Sequence, residues 1–356
     1  MPTSDVERTV NLQIPRVVRC HTPQCPGWIT LDSTRHQTEP CRYCRVGVDT
    51  LRFLLSRVGA ENKALPAEVH DEFNRLMLTM AGSWGQNVYL RPSQETLVDL
   101  KAGVRGVLVE YNPQLGDAGE DGPAPLIGII LHKLLHFEAH LGQKPVQMAA
   151  KSGARDKEGM TPLLNYLMTV VDHAWVVARL GQLNPLLHSA QARWGLDLAQ
   201  MLVGSESMFN RYLSERNLQK LVAVLETSND AGTFRDAIIE RLAMLTRQTV
   251  EREKDETRRT YIGIQLANVR LLNPDAYEPY ISALEETGLQ NVPEGKGTAD
   301  RLYTALSESQ VAMPPQPKAQ ADGSLPAMVV DSAQFHNALE SAIKALGLVN
   351  YFEVKG

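Results

Sequence analysis

The segment from Leu126 to Gly142, LIGIILHKLLHFEAHLG, places three histidines in a largely apolar stretch of the chain. His132, His136 and His140 recur every four residues, so a helix would project all three imidazoles from one face. Imidazole nitrogens are common metal ligands, and rings one helical turn apart can share one ion. The segment therefore predicts a buried helix that carries a metal site.

A second metal site is indicated by the cysteines, all of which lie between residues 20 and 44. Their spacing is C-x4-C followed, after fifteen residues, by C-x2-C. Clustering of this kind in a large chain is typical of metal binding rather than of a disulfide framework, and the spacing resembles that of a zinc ribbon. We therefore predict that a structural zinc ion is bound by Cys20, Cys25, Cys41 and Cys44.

The five residues HKLLH at positions 132 to 136 resemble the H-E-x-x-H helix of the zincin metallopeptidases. In that family the two histidines hold zinc, and the glutamate is the general base that activates a water molecule. A strand at Arg105 to Tyr111, then Asn112-Pro113, a loop and the histidine helix follow the order found in ImmA/IrrE-type and von Willebrand-associated metallopeptidases. The resemblance covers about residues 85 to 180 and implies a zincin-like domain.

Lys133 occupies the position of the zincin general base. A charged lysine offers only hydrogen-bond donors, and a neighbouring dication opposes its use as a base. The resemblance therefore implies a zinc-binding protein without peptidase activity, which acts in binding, scaffolding or regulation, in a phage or a bacterial defence or stress setting. The alternative is an active zinc metallopeptidase, either with another base, such as Glu110 or Glu138, or with Lys133 as an engineered or variant residue at a position that is normally glutamate.

In zincins a later helix supplies the third zinc ligand, which is often Glu or Asp. The apolar segment from Thr161 to Leu180 predicts such a helix, with Thr161-Pro162 at its start. Asp172 is the first candidate for the ligand, His140 the second and His173 the third. If His140 binds the metal, Asp172 could instead orient a histidine ligand through a hydrogen bond.

A chain of 356 residues with 43% hydrophobic content is long and apolar enough for two or three globular domains. Helical spacing dominates, so we expect a mainly α, α+β protein, with strands predicted at Gln86–Leu90 and at Arg105–Tyr111. The expected regions are a zinc ribbon (1–58), a zincin-like domain with a small sheet (59–195), a helical domain (196–308), a linker (309–326) and a strand-helix-strand unit (327–356).

The net charge of −5 argues against a generally basic surface for nucleic acid or membranes. Arg42 and Arg45 lie close to Trp28 and Tyr43, so a third hypothesis is a nucleic-acid-binding or transcription-associated ribbon. The chain shows neither a secretion signal nor a run of about 18 apolar residues, which predicts a cytoplasmic protein without a membrane span. A scaffold or regulatory role implies a protein partner.

Overall fold

The structure is a computed structural model, and most of the residues that it describes are helical, which confirms the mainly α fold class. The described residues are 17–19, 28–32, 37–39, 50–60, 65–83, 87–103, 106–140, 147–151, 161–209, 214–227, 230–251, 255–309 and 332–355. They belong to two compact units, residues 1–134 and 135–356.

The first unit begins with a small antiparallel sheet in the order β1-β2-β3. Its strands are β1 (Val17–Arg19), β2 (Trp28–Asp32) and β3 (Gln37–Glu39). Two helices follow, α1 (Thr50–Arg57) and α2 (Ala67–Ser83). The four cysteines lie outside the described residues, so their zinc site stays a prediction.

A second sheet in this unit has the order β4-β6-β5, with β6 parallel to β4 and antiparallel to β5. The strands are β4 (Asn87–Pro92), β5 (Val98–Gly103) and β6 (Gly106–Tyr111). Asn112 ends β6 as expected, because its side chain accepts a hydrogen bond from the Gln114 amide at 3.0 Å and caps a short 3-10 turn. That turn leads towards the histidine helix.

The histidine helix, α3 (Ala124–His140), agrees closely with the segment predicted from the sequence. Its residues from Leu126 to Leu131, apart from Gly128, are hydrophobic and fully buried. Pro125 lies in the first turn, where an amide hydrogen would have no partner within the helix, so it does not interrupt the helix. The division between the two compact units falls within α3, which is one continuous helix.

The second unit consists mainly of helices. They are α4 (Thr161–Leu183), α5 (Pro185–Arg193), α6 (Leu196–Phe209), α7 (Ser214–Thr227), α8 (Ala231–Val250), α9 (Asp255–Leu272), α10 (Tyr277–Glu286), α11 (Val292–Glu308) and α12 (Ser332–Ala345). α4 agrees with the helix predicted from Thr161, and α12 with the one predicted near the C-terminus. None of the described helices combines the length and the apolar character needed to cross a membrane.

The C-terminal strand pairs with a distant segment of the same unit. β8 (Phe352–Lys355) forms an antiparallel pair with β7 (Gln147–Ala150). The Lys151 amine also donates a hydrogen bond to the Val349 carbonyl at 2.6 Å. The C-terminal helix and strand therefore dock on the preceding part of the chain.

Helices α9 and α11 pack closely because glycine lies on both sides of their contact. A Cβ atom on Gly263 of α9 would lie 2.5 Å from Cγ2 of Thr298, and one on Gly295 of α11 would meet the Ile262 side chain even more closely. Real Cβ atoms do not approach other atoms so closely, so a larger residue at either position would push the helices apart.

We expect Gly263→Ala and Gly295→Ala each to lower the free energy of unfolding by about 1–3 kcal/mol, through overpacking. Gly297→Ala is the matched control, because a Cβ there would meet only the end of the Arg301 side chain, at 3.9 Å. This control should be neutral or stabilising by up to about 1 kcal/mol, since alanine favours helix more than glycine does. Urea denaturation of the three variants measures the difference. Equal stability of all three would contradict the close contact.

Asp197 on α6 is a carboxylic acid buried inside the helical unit. Its burial raises its pKa from 3.8 to about 7, although hydrogen bonds from the Leu198 amide and the Asn273 side chain act in the opposite direction. Because the pKa in the folded state is the higher one, the group's stabilising contribution is complete below pH 3.8 and is lost as the pH rises through about 7.

Asp197→Asn should therefore reduce the dependence of stability on pH. Between pH 5 and pH 8 the parent should lose about 2.5 kcal/mol more unfolding free energy than the variant, because only the parent must ionise a buried acid. Urea denaturation at the two pH values measures this loss. A parent and a variant that lose the same amount would show that Asp197 does not titrate in this range.

Candidate metal centre

Three histidine side chains converge in the structure: His132 and His136 of α3 and His173 of α4. One nitrogen from each imidazole can be chosen so that all three atoms lie within 4.8 Å of one another. His132 and His173 are buried, with 1% and 5% of their surfaces exposed, and His136 is partly exposed. Among the described residues this is the group whose side chains could hold a metal ion.

The spacing of the three nitrogens suits a metal ion. In a tetrahedral zinc site with Zn–N bonds of about 2.0–2.1 Å, ligand nitrogens are about 3.4 Å apart, so the present spacing needs a contraction of at most about 1.4 Å. The His136 and His173 rings have centroids 4.9 Å apart and planes inclined by 67°. Two imidazoles bound to one zinc ion would have centroids about 5 Å apart, so this pair hardly needs to move.

The packing of α4 against α9 determines where His173 lies. The Tyr166 ring on α4 stacks on the Tyr261 ring of α9, with centroids 5.7 Å apart. Seven residues later on both helices, Nδ1 of His173 lies 2.8 Å from Oδ1 of Asn268. A separation of seven residues is about two turns, or about 10.5 Å, on each helix, so the two contacts are successive layers between helices that run in the same direction.

Lys133 belongs to the first unit together with Asp99 of β5. Burial lowers the pKa of the Lys133 amine, and the negative charge of Asp99 partly opposes this effect. Of the two alternative bases, Glu110 on β6 is buried and forms an ion pair with Arg91 of β4. A carboxylate held by a guanidinium is a weakened base. The side chain of Glu138 lies outside the described residues.

The structure brings together some of the site residues named from the sequence. His132 and His136 lie together as expected, and the third member of the group is His173, the last of the three candidates considered. Asp172 is buried on α4 but does not belong to the group. The side chain of His140 and the ribbon residues Arg42 and Arg45 lie outside the described residues.

Asn268 is a residue of the centre that the sequence reading did not identify. Its side chain is completely buried, and its Nδ2 donates a hydrogen bond to the Tyr166 hydroxyl at 3.4 Å while its Oδ1 faces His173. The sequence carries little signal for this role, because the asparagine lies 95 residues from the histidine that it contacts.

Comparison of the chain with protein-family models, with curated proteins and with solved structures finds no match. A function is therefore inferred from the geometry of the centre and from the chemistry of its residues.

Proposed function

We propose that this protein binds a divalent transition-metal ion, preferably zinc, through His132, His136 and His173. We further propose that it acts as a binding, scaffold or regulatory protein. The observation that carries the proposal is the approach of three imidazole nitrogens to within 4.8 Å of one another. The proposal includes a second, structural zinc ion held by the four cysteines of the N-terminal ribbon.

The types of ligand favour zinc over magnesium or calcium. The histidine group offers three neutral nitrogen donors, whereas magnesium and calcium prefer carboxylate, carbonyl and water oxygens. Nitrogen donors also suit copper and nickel, so metal selection depends partly on which ion is available. A bound zinc ion would act as a Lewis acid and would join α3 to α4.

The charges around the centre support binding rather than peptide hydrolysis. Zincins use the residue that follows the first histidine as general base, and the lysine here cannot take that role while it is protonated. Glu110, a candidate replacement, is ion-paired with Arg91. The proposed centre thus keeps the metal-binding histidines of the zincin pattern and has a lysine at the position where zincins have the glutamate that activates water.

Metal content tests the proposal directly. The zinc-saturated full chain should contain about two zinc ions, and His132→Ala, His136→Ala or His173→Ala should each lower the content by about one, because two remaining histidines bind zinc weakly. His336→Ala is the control, since this partly exposed histidine of α12 lies near Glu340 and outside the group. Elemental analysis after gel filtration measures the ratio. Equal zinc content in all five proteins would exclude the histidine site.

The alternative, an active zinc metallopeptidase, is tested at Lys133. We expect the wild-type chain and Lys133→Gln to show no cleavage of casein that a chelator abolishes, because neither chain has at this position the carboxylate that serves zincins as general base. Lys133→Glu should restore cleavage by roughly 100-fold or more over the glutamine variant, the usual size of a general-base contribution. Zinc-dependent cleavage by the wild-type chain would instead support the peptidase.

A further inference from the structure

The geometry points to Asn268 as a positioning residue of the histidine centre: its side-chain oxygen holds His173 in the tautomer that presents Nε2 to the metal. This inference rests on the proposed function and adds to it, because it identifies a residue that controls metal affinity without touching the ion. Asn268 lies on α9, whereas all three histidines lie on α3 and α4.

A neutral imidazole has a hydrogen on only one of its two nitrogens, and only the other nitrogen can bind a metal. Nδ1 of His173 lies 2.8 Å from the amide oxygen of Asn268, which can only accept a hydrogen bond. Nδ1 must therefore carry the hydrogen, which leaves the lone pair on Nε2. If the amide were turned over, its nitrogen would donate to Nδ1, and Nε2 would carry the hydrogen and could not bind the metal.

The surroundings hold the amide of Asn268 in place. Its Nδ2 faces the Tyr166 hydroxyl at 3.4 Å, and the Tyr166 ring is in turn stacked on Tyr261. Asn268, Tyr166 and Tyr261 are all almost completely buried. A buried amide with a partner on each side is costly to rotate, because rotation would leave polar groups without hydrogen bonds. The histidine is therefore oriented before a metal arrives.

Hydrogen bonds of this kind typically change metal affinity by about 10- to 100-fold, because they fix the ring and make the bound nitrogen more basic. A carboxylate at the same position should serve at least as well, since it also accepts a hydrogen bond from Nδ1. An apolar residue should not, because it leaves both tautomers and several ring orientations accessible.

The test compares Asn268→Leu and Asn268→Asp with the wild-type full chain, using zinc titration against a competing chelator. Asn268→Leu should bind zinc at the histidine site about 10- to 100-fold more weakly, and Asn268→Asp should bind as tightly as the wild type or more tightly. Nitrogen NMR of labelled histidines in the metal-free protein should show the hydrogen of His173 on Nδ1. In Asn268→Leu both tautomers of His173 should be populated, with the hydrogen on Nδ1 in one and on Nε2 in the other.

Gln265→Leu is the matched control for the loss of a buried amide. Gln265 lies one turn earlier on α9, is equally buried, and donates to Oγ1 of Thr246 at 3.2 Å. Its variant should keep wild-type zinc affinity even where stability falls. The inference is overturned if Asn268→Leu binds like the wild type, if both leucine variants weaken binding equally, or if His173 carries its hydrogen on Nε2.

Failure of the proposed function gives a different result. In that case the wild type and His132→Ala bind zinc equally, and the comparison between the Asn268 variants shows no histidine-site binding in any protein. A wild type that binds at the site, together with an Asn268→Leu variant that binds equally well, overturns only the role of Asn268.

Discussion

The contact between α4 and α9 is the constraint on which the metal centre depends. α3 by itself brings His132 and His136 together, because residues four apart lie on the same side of a helix. Two histidines do not make a strong site. The third nitrogen comes from α4, whose rotation about its own axis is set by the Tyr166–Tyr261 stack and by the His173–Asn268 hydrogen bond. A rotation by one residue, about 100°, would present Asp172 in place of His173.

Under the proposed function, the centre departs from the zincin pattern at one position. The residue after the first histidine is a lysine, where zincins have the glutamate that serves as general base. The three candidate donors are neutral imidazoles, so a bound dication would keep its full charge and would favour an anionic fourth ligand, such as a carboxylate or a hydroxide. A carboxylate of a partner is the ligand that the proposed binding role requires, whereas a hydroxide would serve the alternative, a peptidase.

Local patterns in the sequence were enough to predict the elements that carry the site. The long apolar run from Leu126 predicted α3, and the spacing of His132 and His136 required their approach once that helix formed. Strand β6 and its end at Asn112 followed from alternating valines and the Asn-Pro pair. These features depend on neighbours within a few residues, which is the range over which a sequence pattern carries structural information.

Contacts between distant segments could not be predicted in the same way. α4 is apolar on almost every side, so its sequence does not show whether Asp172 or His173 faces the histidine helix. Strand β7 pairs with β8, which lies some two hundred residues later in the sequence. The role of Asn268 could not be predicted either, because its partner, His173, lies on another helix. Tertiary packing, rather than local preference, decides each of these features.

Cadmium NMR of the cadmium-loaded full chain shows whether three imidazole nitrogens bind one ion. With nitrogen-labelled histidine, each directly bound imidazole splits the cadmium signal, and thiolate sites give a separate signal. We expect one signal coupled to three imidazoles, which His173→Ala removes or reduces to two couplings and His336→Ala leaves unchanged. A spectrum in which no cadmium signal couples to more than one imidazole would contradict this expectation.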